Sequence, residues 1–198
     1  MFGKVLTSPQ NENTPFYPRS PYAISKVTGF DLTRNYREAY NIFAVSGILF
    51  NHESPRRGFE FVTRKISLAV AKIKNKLQNE LVLGNLQSKR DWGYAKDYVE
   101  AMWLMLQEND PEDFVIGTGV TKSIEDFAKL AFSHVNLNYL DYVKFDEKFL
   151  RPAEVDLLIA DCKKAKQKLK WKTSVNFENL VEMMVESDLK MIKDSNQY

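Results

Sequence analysis

The sequence is poor in features that would assign a function at once. It has one cysteine, Cys162, among 198 residues, so no internal disulfide can form, and a reducing cytoplasmic setting is expected. It has two histidines, His52 and His134, far apart and outside any ligand-spaced motif, so no metal site is expected. Its longest apolar run, Ile42 to Phe50, is broken by Ser46 and Gly47 and is far too short to span a bilayer. No apolar stretch follows the first residues as a secretory leader requires. Charge is nearly balanced, 28 basic against 26 acidic residues, and the lysines are dispersed, which argues against nucleic acid as a partner. There is no G-x-S-x-G elbow of a serine hydrolase. There is no full dinucleotide fingerprint either: Gly117-Thr118-Gly119 lacks its third glycine, since Lys122 stands there.

What is present centres on Pro18-Arg19-Ser20-Pro21-Tyr22-Ala23-Ile24-Ser25-Lys26. Ser20 reads as an N-cap and Pro21 as a first-turn residue, so a helix is expected from here to Tyr40. Tyr22 and Lys26 then share a face, roughly 5–6 Å apart at Cβ. A free phenol has a pKa of about 10, and a neighbouring cation favours the phenolate. The pair is therefore a candidate acid/base device for oxidising an alcohol beside a nicotinamide, with the ammonium also able to bond a ribose hydroxyl. The same spacing also occurs on ordinary helices, and the surrounding motifs must decide.

Residues 1–21 read as a loop, and residues 42–49 as a strand buried on both faces, as in a parallel sheet. Helix then strand is half of an α/β layer pattern. The polar stretch from Phe50 to Gly58 follows that strand, where ligands of open α/β sheets gather. There Asn51 and His52 are placed to reach a nucleotide, and Arg56 and Arg57 to pair with phosphate, unless they are simply solvated. A helix is expected over 62–77, with Lys72, Lys74 and Lys76 facing solvent and Lys65 near enough to its start to touch a phosphate. A short strand at Leu81-Val82-Leu83-Gly84 and a polar loop over 85–94 follow. The next helix, 95–107, is expected to bury Tyr98, Val99, Met102, Trp103 and Leu106. Then come a strand at 113–116, a helix capped by Ser123 and Asp126, a strand at 142–146, a helix after Asp161, and a last helix over 177–193 capped by Asn176.

Several of these segments together resemble the extended short-chain dehydrogenase/reductase family, and within it the GDP-mannose 4,6-dehydratases. The residues that carry this are T-P-F-Y-P-R-S-P-Y (14–22) with Lys26, N-Y-R-E-A-Y (35–40), G-I-L-F-N-H-E-S-P-R-R-G (47–58), F-V-T-R-K-I (61–66), K-R-D-W-G-Y-A-K-D-Y (89–98), R-P-A-E-V-D (151–156) and D-C-K-K-A-K-Q-K-L-K-W (161–171). Tyr-x-x-x-Lys is shared by the whole superfamily; N-H-E-S-P-R-R-G and K-R-D-W-G-x-A-K-D-Y are far narrower.

The resemblance implies an α/β fold: the C-terminal part of a Rossmann-like extended short-chain dehydrogenase/reductase, with its small substrate domain and an incomplete parallel sheet. Residues 1–60 would belong to the NADP-binding part and 61–198 mainly to the GDP-sugar region, with about 95–118 returning to the former. It implies Tyr22 and Lys26 as catalytic residues, and Tyr22, Lys26, His52 and Arg57 as NADP contacts. Asn51, Lys65, Arg90, Arg151 and Glu154 would surround the GDP-sugar, and the Arg56 loop would lie near a subunit contact of a dimer or tetramer. The implied reaction turns GDP-mannose into GDP-4-keto-6-deoxymannose and water through an internal redox cycle of NADP. The family's N-terminal half, with its glycine-rich loop and the Ser/Thr and Glu that precede M-F-G-K-V, has no counterpart in this sequence. The chain alone is therefore expected to be inactive. The alternatives are a non-catalytic GDP-sugar-binding or partner subunit, and another nucleotide-sugar epimerase or reductase.

Overall fold

The computed structural model describes residues 1–149 and 158–195. The chain divides into two compact units. The first comprises Met1–His52, Arg90–Thr121 and the described residues of Val155–Ser174. The second comprises Glu53–Lys89 and the described residues of Lys122–Glu154 and Val175–Tyr198.

The first unit opens with an irregular segment and helix α1 (Pro21–Tyr40). The Ser20 hydroxyl caps α1 by accepting from the Ala23 amide, and Asn41, in the left-handed region at φ 52°, closes it. Strand β1 (Gly47–Leu49) follows, then β2 (Asn51–Glu53), whose last residue belongs to the second unit. After β3 (Leu81–Leu83) the chain re-enters this unit at Arg90, the second residue of β4 (Lys89–Arg90), and continues through β5 (Trp92–Tyr94), helix α3 (Ala95–Met105) and β6 (Phe114–Ile116). β1 and β6 run parallel, with Gly47, Ile48 and Leu49 opposite Phe114, Val115 and Ile116. The core gathers Ile48, Tyr98, Phe114, Ile116, Leu169 and Trp171. Gly117 is required at the end of β6, because a Cβ there would lie 2.5 Å from that of Ala160.

Two expectations fail in this unit. Strand geometry covers residues 47–49 instead of 42–49, and Ile42 and Phe43 are exposed. Among the described residues β1 has β6 as its one ladder partner, and that pairing begins at Ser46, whose carbonyl accepts the Phe114 amide at 3.0 Å. Helix α3 buries Tyr98, Ala101 and Met105, while Val99, Met102, Trp103 and Leu106 are exposed. The apolar stripe is real, but it faces away from the core. The first 21 residues, read as a loop, are firmly pinned. Gln10 is wholly buried, its backbone bonds those of Ile159 and Asp161, and Glu12 accepts the Val115 amide of β6.

The second unit packs α2 (Val62–Lys74), α4 (Ile124–His134) and α6 (Phe177–Ser195) beside a parallel pair, β3 with β8 (Val143–Phe145). β7 (Lys122–Ser123) leads into α4. The capping box of α4 forms as the sequence predicts, with Ser123 and Asp126 exchanging side-chain and backbone bonds. Leu180, Val181, Met184 and Val185 form the buried stripe of α6, and the Asn176 side chain accepts from the Asn179 amide at its start. The short helix α5 (Lys163–Lys168) belongs to the first unit, and Asp161 accepts the Lys163 amide at its start.

No residue of α1 is fully buried, so polar anchoring weighs heavily in its placement. The Arg37 guanidinium forks onto Asp113 at 2.8 and 2.9 Å and also donates to the Ala44 carbonyl. Asp113 in turn accepts the Ser46 amide at 2.8 Å. Burial alone would raise the Asp113 carboxyl, but the Arg37 and Ser46 bonds outweigh it and hold it below its ordinary value. A carboxylate lowered on folding adds stability above its unfolded pKa, about 3.9, and loses that contribution as pH falls through the folded value. Asp113→Asn is expected to cost roughly 1.5–3 kcal/mol at pH 7 in urea unfolding, with the gap to the parent narrowing under acid conditions. Cys162 supplies a second check. Burial first, then the charge of Asp91, push its thiol up to about 12, and it donates to the Gly117 carbonyl. It should resist thiol reagents at pH 8 in the folded chain and label on unfolding.

Candidate active site

Tyr22 and Lys26 lie on the outer face of α1, with the Lys26 ammonium 5.3 Å from the centre of the Tyr22 ring. Tyr22 is 71% exposed. Gly29, Leu32, Tyr36 and Tyr40 continue the same face at helical spacing, and the Tyr36 and Tyr40 rings meet at a tilt of 41° with centres 5.2 Å apart. A side chain added at Gly29 would meet open space. The helix thus carries an uncovered aromatic stripe with the tyrosine–lysine pair at its start.

His52 sits just past the β1 edge of the same unit. Its ring lies against Tyr98, centres 4.9 Å apart, and its Nδ1 is 2.9 Å from the Phe50 carbonyl. A carbonyl only accepts, so Nδ1 carries the proton and Nε2 is the acceptor in the neutral ring. The Asn51 carbonyl accepts from the Tyr98 hydroxyl at 3.4 Å. The fixing residue is Tyr98, fully buried on α3, which sequence reasoning placed in the core without giving it this task. Arg90, half-buried on β4, belongs to this unit as well.

Arg57 and Lys65 belong to the second unit. Arg57 lies over the Phe61 ring, 3.6 Å from its centre, and its Nε is 3.2 Å from the Glu53 carboxylate. Arg56 is exposed. Glu53 is buried and accepts from the Thr63 hydroxyl at 2.7 Å. Its burial raises its pKa, partly offset by Thr63 and Arg57. Lys65 donates to the Val82 carbonyl at 2.7 Å and lines a cleft of about 360 Å³. Phe59, Lys72, Gln78, Glu80 and Val82 complete much of the lining. Lys72 was expected to face solvent; it is half-buried in this cleft, because the α2 residues around it pack beside β3. The cleft itself could not be read from the sequence, since it joins residues 59–72 to 78–82. Arg151 and Glu154 lie outside the described residues.

The first unit thus offers a phenol and an ammonium on one helix face and an oriented imidazole. The second, taken by itself, offers a cleft edged by two lysines and a carboxylate. Those groups suit proton transfer at a hydroxyl and the holding of an anionic nucleotide. Among the described residues no three His, Cys, Asp or Glu side chains are placed to hold a metal ion, and no helix is long and apolar enough to cross a membrane.

The family model described as GDP-mannose 4,6 dehydratase matches residues 1–184. GDP-mannose 4,6 dehydratase 2 of Arabidopsis thaliana is 56% identical over 193 residues, 98% of this chain and 52% of that protein. GDP-mannose 4,6 dehydratase of Homo sapiens is 52% identical over 210 residues, 98% of this chain and 56% of that protein. This chain therefore spans about half the length of these curated relatives. Among solved structures, RMD from Pseudomonas aeruginosa complexed with NADPH superposes with a TM-score of 0.88 at 20% identity, covering 96% of this chain and 64% of that one. The dTDP-glucose 4,6-dehydratase of Bacillus anthracis in complex with NAD gives 0.84 at 20% identity, over 97% and 60%. These likenesses show that the chain shares the fold of a large part of each of these enzymes. From the match over most of its length, and from relatives more than half identical to it, the chain belongs to the GDP-mannose 4,6-dehydratase family.

Proposed function

We propose that this chain supplies the tyrosine–lysine pair and the nucleotide-sugar cleft for conversion of GDP-mannose to GDP-4-keto-6-deoxymannose. The observation that carries the reading is the Tyr22–Lys26 pair on the open face of α1, in a chain of this family. Tyr22 takes the proton of the sugar C4 hydroxyl as that carbon is oxidised, and Lys26 stabilises the charge developing on the phenol oxygen. NADP, when bound, would supply the reversible hydride acceptor that this chemistry needs. The groups present fit such a cofactor: Lys26 can bond ribose hydroxyls, and the held ring of His52 offers its Nε2 as an acceptor. Arg57 is assigned to the same cofactor, although its pairing with Glu53 and Phe61 must loosen or be shared for a phosphate to reach it. Asn51, Lys65 and Arg90 are assigned to the GDP-sugar, as are Arg151 and Glu154 of the family motif. No residue of this chain is assigned to removal of the C5 proton.

A second reading, binding without turnover, is favoured for the isolated chain by one feature. Tyr22 is 71% exposed, whereas proton transfer of this kind is efficient where water is excluded. The uncovered α1 stripe and the second edge of β1 are where further α/β structure of the relatives' greater length would pack, placing the tyrosine in a closed site.

Calorimetric titration with GDP-mannose tests the proposal. Saturable binding is expected, with UDP-glucose much weaker, and Lys65→Ala should weaken GDP-mannose at least about fivefold. No binding by a folded chain would remove the nucleotide-sugar assignment. In an assembly that turns over GDP-mannose, Tyr22→Phe is expected to lower kcat about 100-fold or more with little change in KM. A Tyr22→Phe variant of parental kcat would dismiss Tyr22 as the base.

A further inference from the structure

Between β2 and α2 the chain makes a turn through Ser54, Pro55, Arg56, Arg57 and Gly58. The turn has few bonds of its own. The Arg57 amide donates to the Ser54 carbonyl at 3.0 Å, and the Arg56 amide to the Ser54 hydroxyl at 3.1 Å. The carbonyls of Pro55 and Arg57 point instead at one guanidinium, that of Arg64. Arg64 Nη1 donates to both of them, the Arg57 bond being 3.3 Å. Its Nε and Nη2 are taken by Asp188, 124 residues away on α6, at 3.0 and 2.7 Å. Asp188 is wholly buried and also accepts from the Ser67 hydroxyl at 2.6 Å. The Phe59 ring, centred 4.8 Å from the guanidinium carbon, lies against the same group.

We infer that Asp188 and Arg64 are a positioning pair whose task is to fix the Ser54–Gly58 turn, and so the outward presentation of Arg56 and the inward return of Arg57. A buried ion pair is a poor choice for stability alone. Its desolvation often offsets its attraction, and apolar residues of like volume frequently serve as well. Here the guanidinium does something no apolar side chain can. It turns two fixed donors, Nε and Nη2, toward a carboxylate on one helix and its remaining nitrogen, Nη1, toward two loop carbonyls. Asp188 orients the fork, Ser67 orients Asp188, and the turn takes its shape from the result. The consequence for catalysis rests on the dehydratase reading, in which this turn adjoins cofactor and nucleotide. The positioning itself does not, and its test needs neither ligand.

The test is amide hydrogen exchange in the double variant Arg64→Met with Asp188→Leu, which removes both charges together and leaves neither buried alone. Global stability, read from the slowest core amides of α6, should stay level or rise. The amides of Arg56, Arg57 and Gly58 should exchange about tenfold faster or more. Unchanged exchange in the turn would overturn the inference. If the double variant does not fold, Asp188→Asn is compared with Leu180→Ala, a core truncation on the same helix. Turn exchange should then rise beyond the global change for Asp188→Asn alone. An equal rise in both would mean that the pair only stabilises the unit, and the inference would fail.

Discussion

The Asp113 carboxylate is the constraint on which the first unit depends. A 20-residue helix without one fully buried residue cannot be placed by apolar packing alone. Phe30 of α1 meets Phe16 edge to face, 5.1 Å between centres, and this gives α1 one apolar contact. The polar fixture lies at the other end, where Asp113 takes both arms of Arg37 and the amide of Ser46. One carboxylate at the start of β6 thereby sets both the tilt of the helix carrying Tyr22 and the entry of the chain into β1. Helix α1 and strand β1 thus share a single electrostatic anchor.

Buried carboxylates do similar work elsewhere. Asp91, fully buried, accepts from the amides of Thr118, Gly119 and Ala160 and from the Thr118 hydroxyl. It closes the turn after β6, where Gly117 lets the backbone approach Ala160. Asp97 accepts the Ser174 amide and hydroxyl, and its carbonyl takes the Trp171 indole, so the end of the first unit is tied to the start of α3. In each case a side chain replaces a strand or helix partner that the short elements cannot provide. β-strands of two or three residues hold few ladder bonds, and the irregular segments between them must find other acceptors.

The same economy explains which surfaces are uncovered. Val99, Met102, Trp103 and Leu106 on α3, and Tyr22, Leu32, Tyr36 and Tyr40 on α1, are apolar or aromatic at helical spacing and exposed. Periodicity reports that a face is built to be covered; it does not report by what.

Much was legible in the sequence because its causes are local. Ser20 and Pro21 start α1, Ser123 and Asp126 cap α4, and Asn176 caps α6 through bonds spanning three residues. The motifs around Tyr22, Asn51 and Trp92 were sufficient to name the family, since residue order alone carries that likeness. The cleft between α2 and β3, the half-burial of Lys72, and the bridge from Asp188 through Arg64 to the turn at Pro55 were not legible. Nor was the exposure of the α3 stripe. A capping bond is fixed by neighbours in the chain, whereas a buried aspartate on α6 reads as one more surface charge until folding brings an arginine 124 residues distant against it.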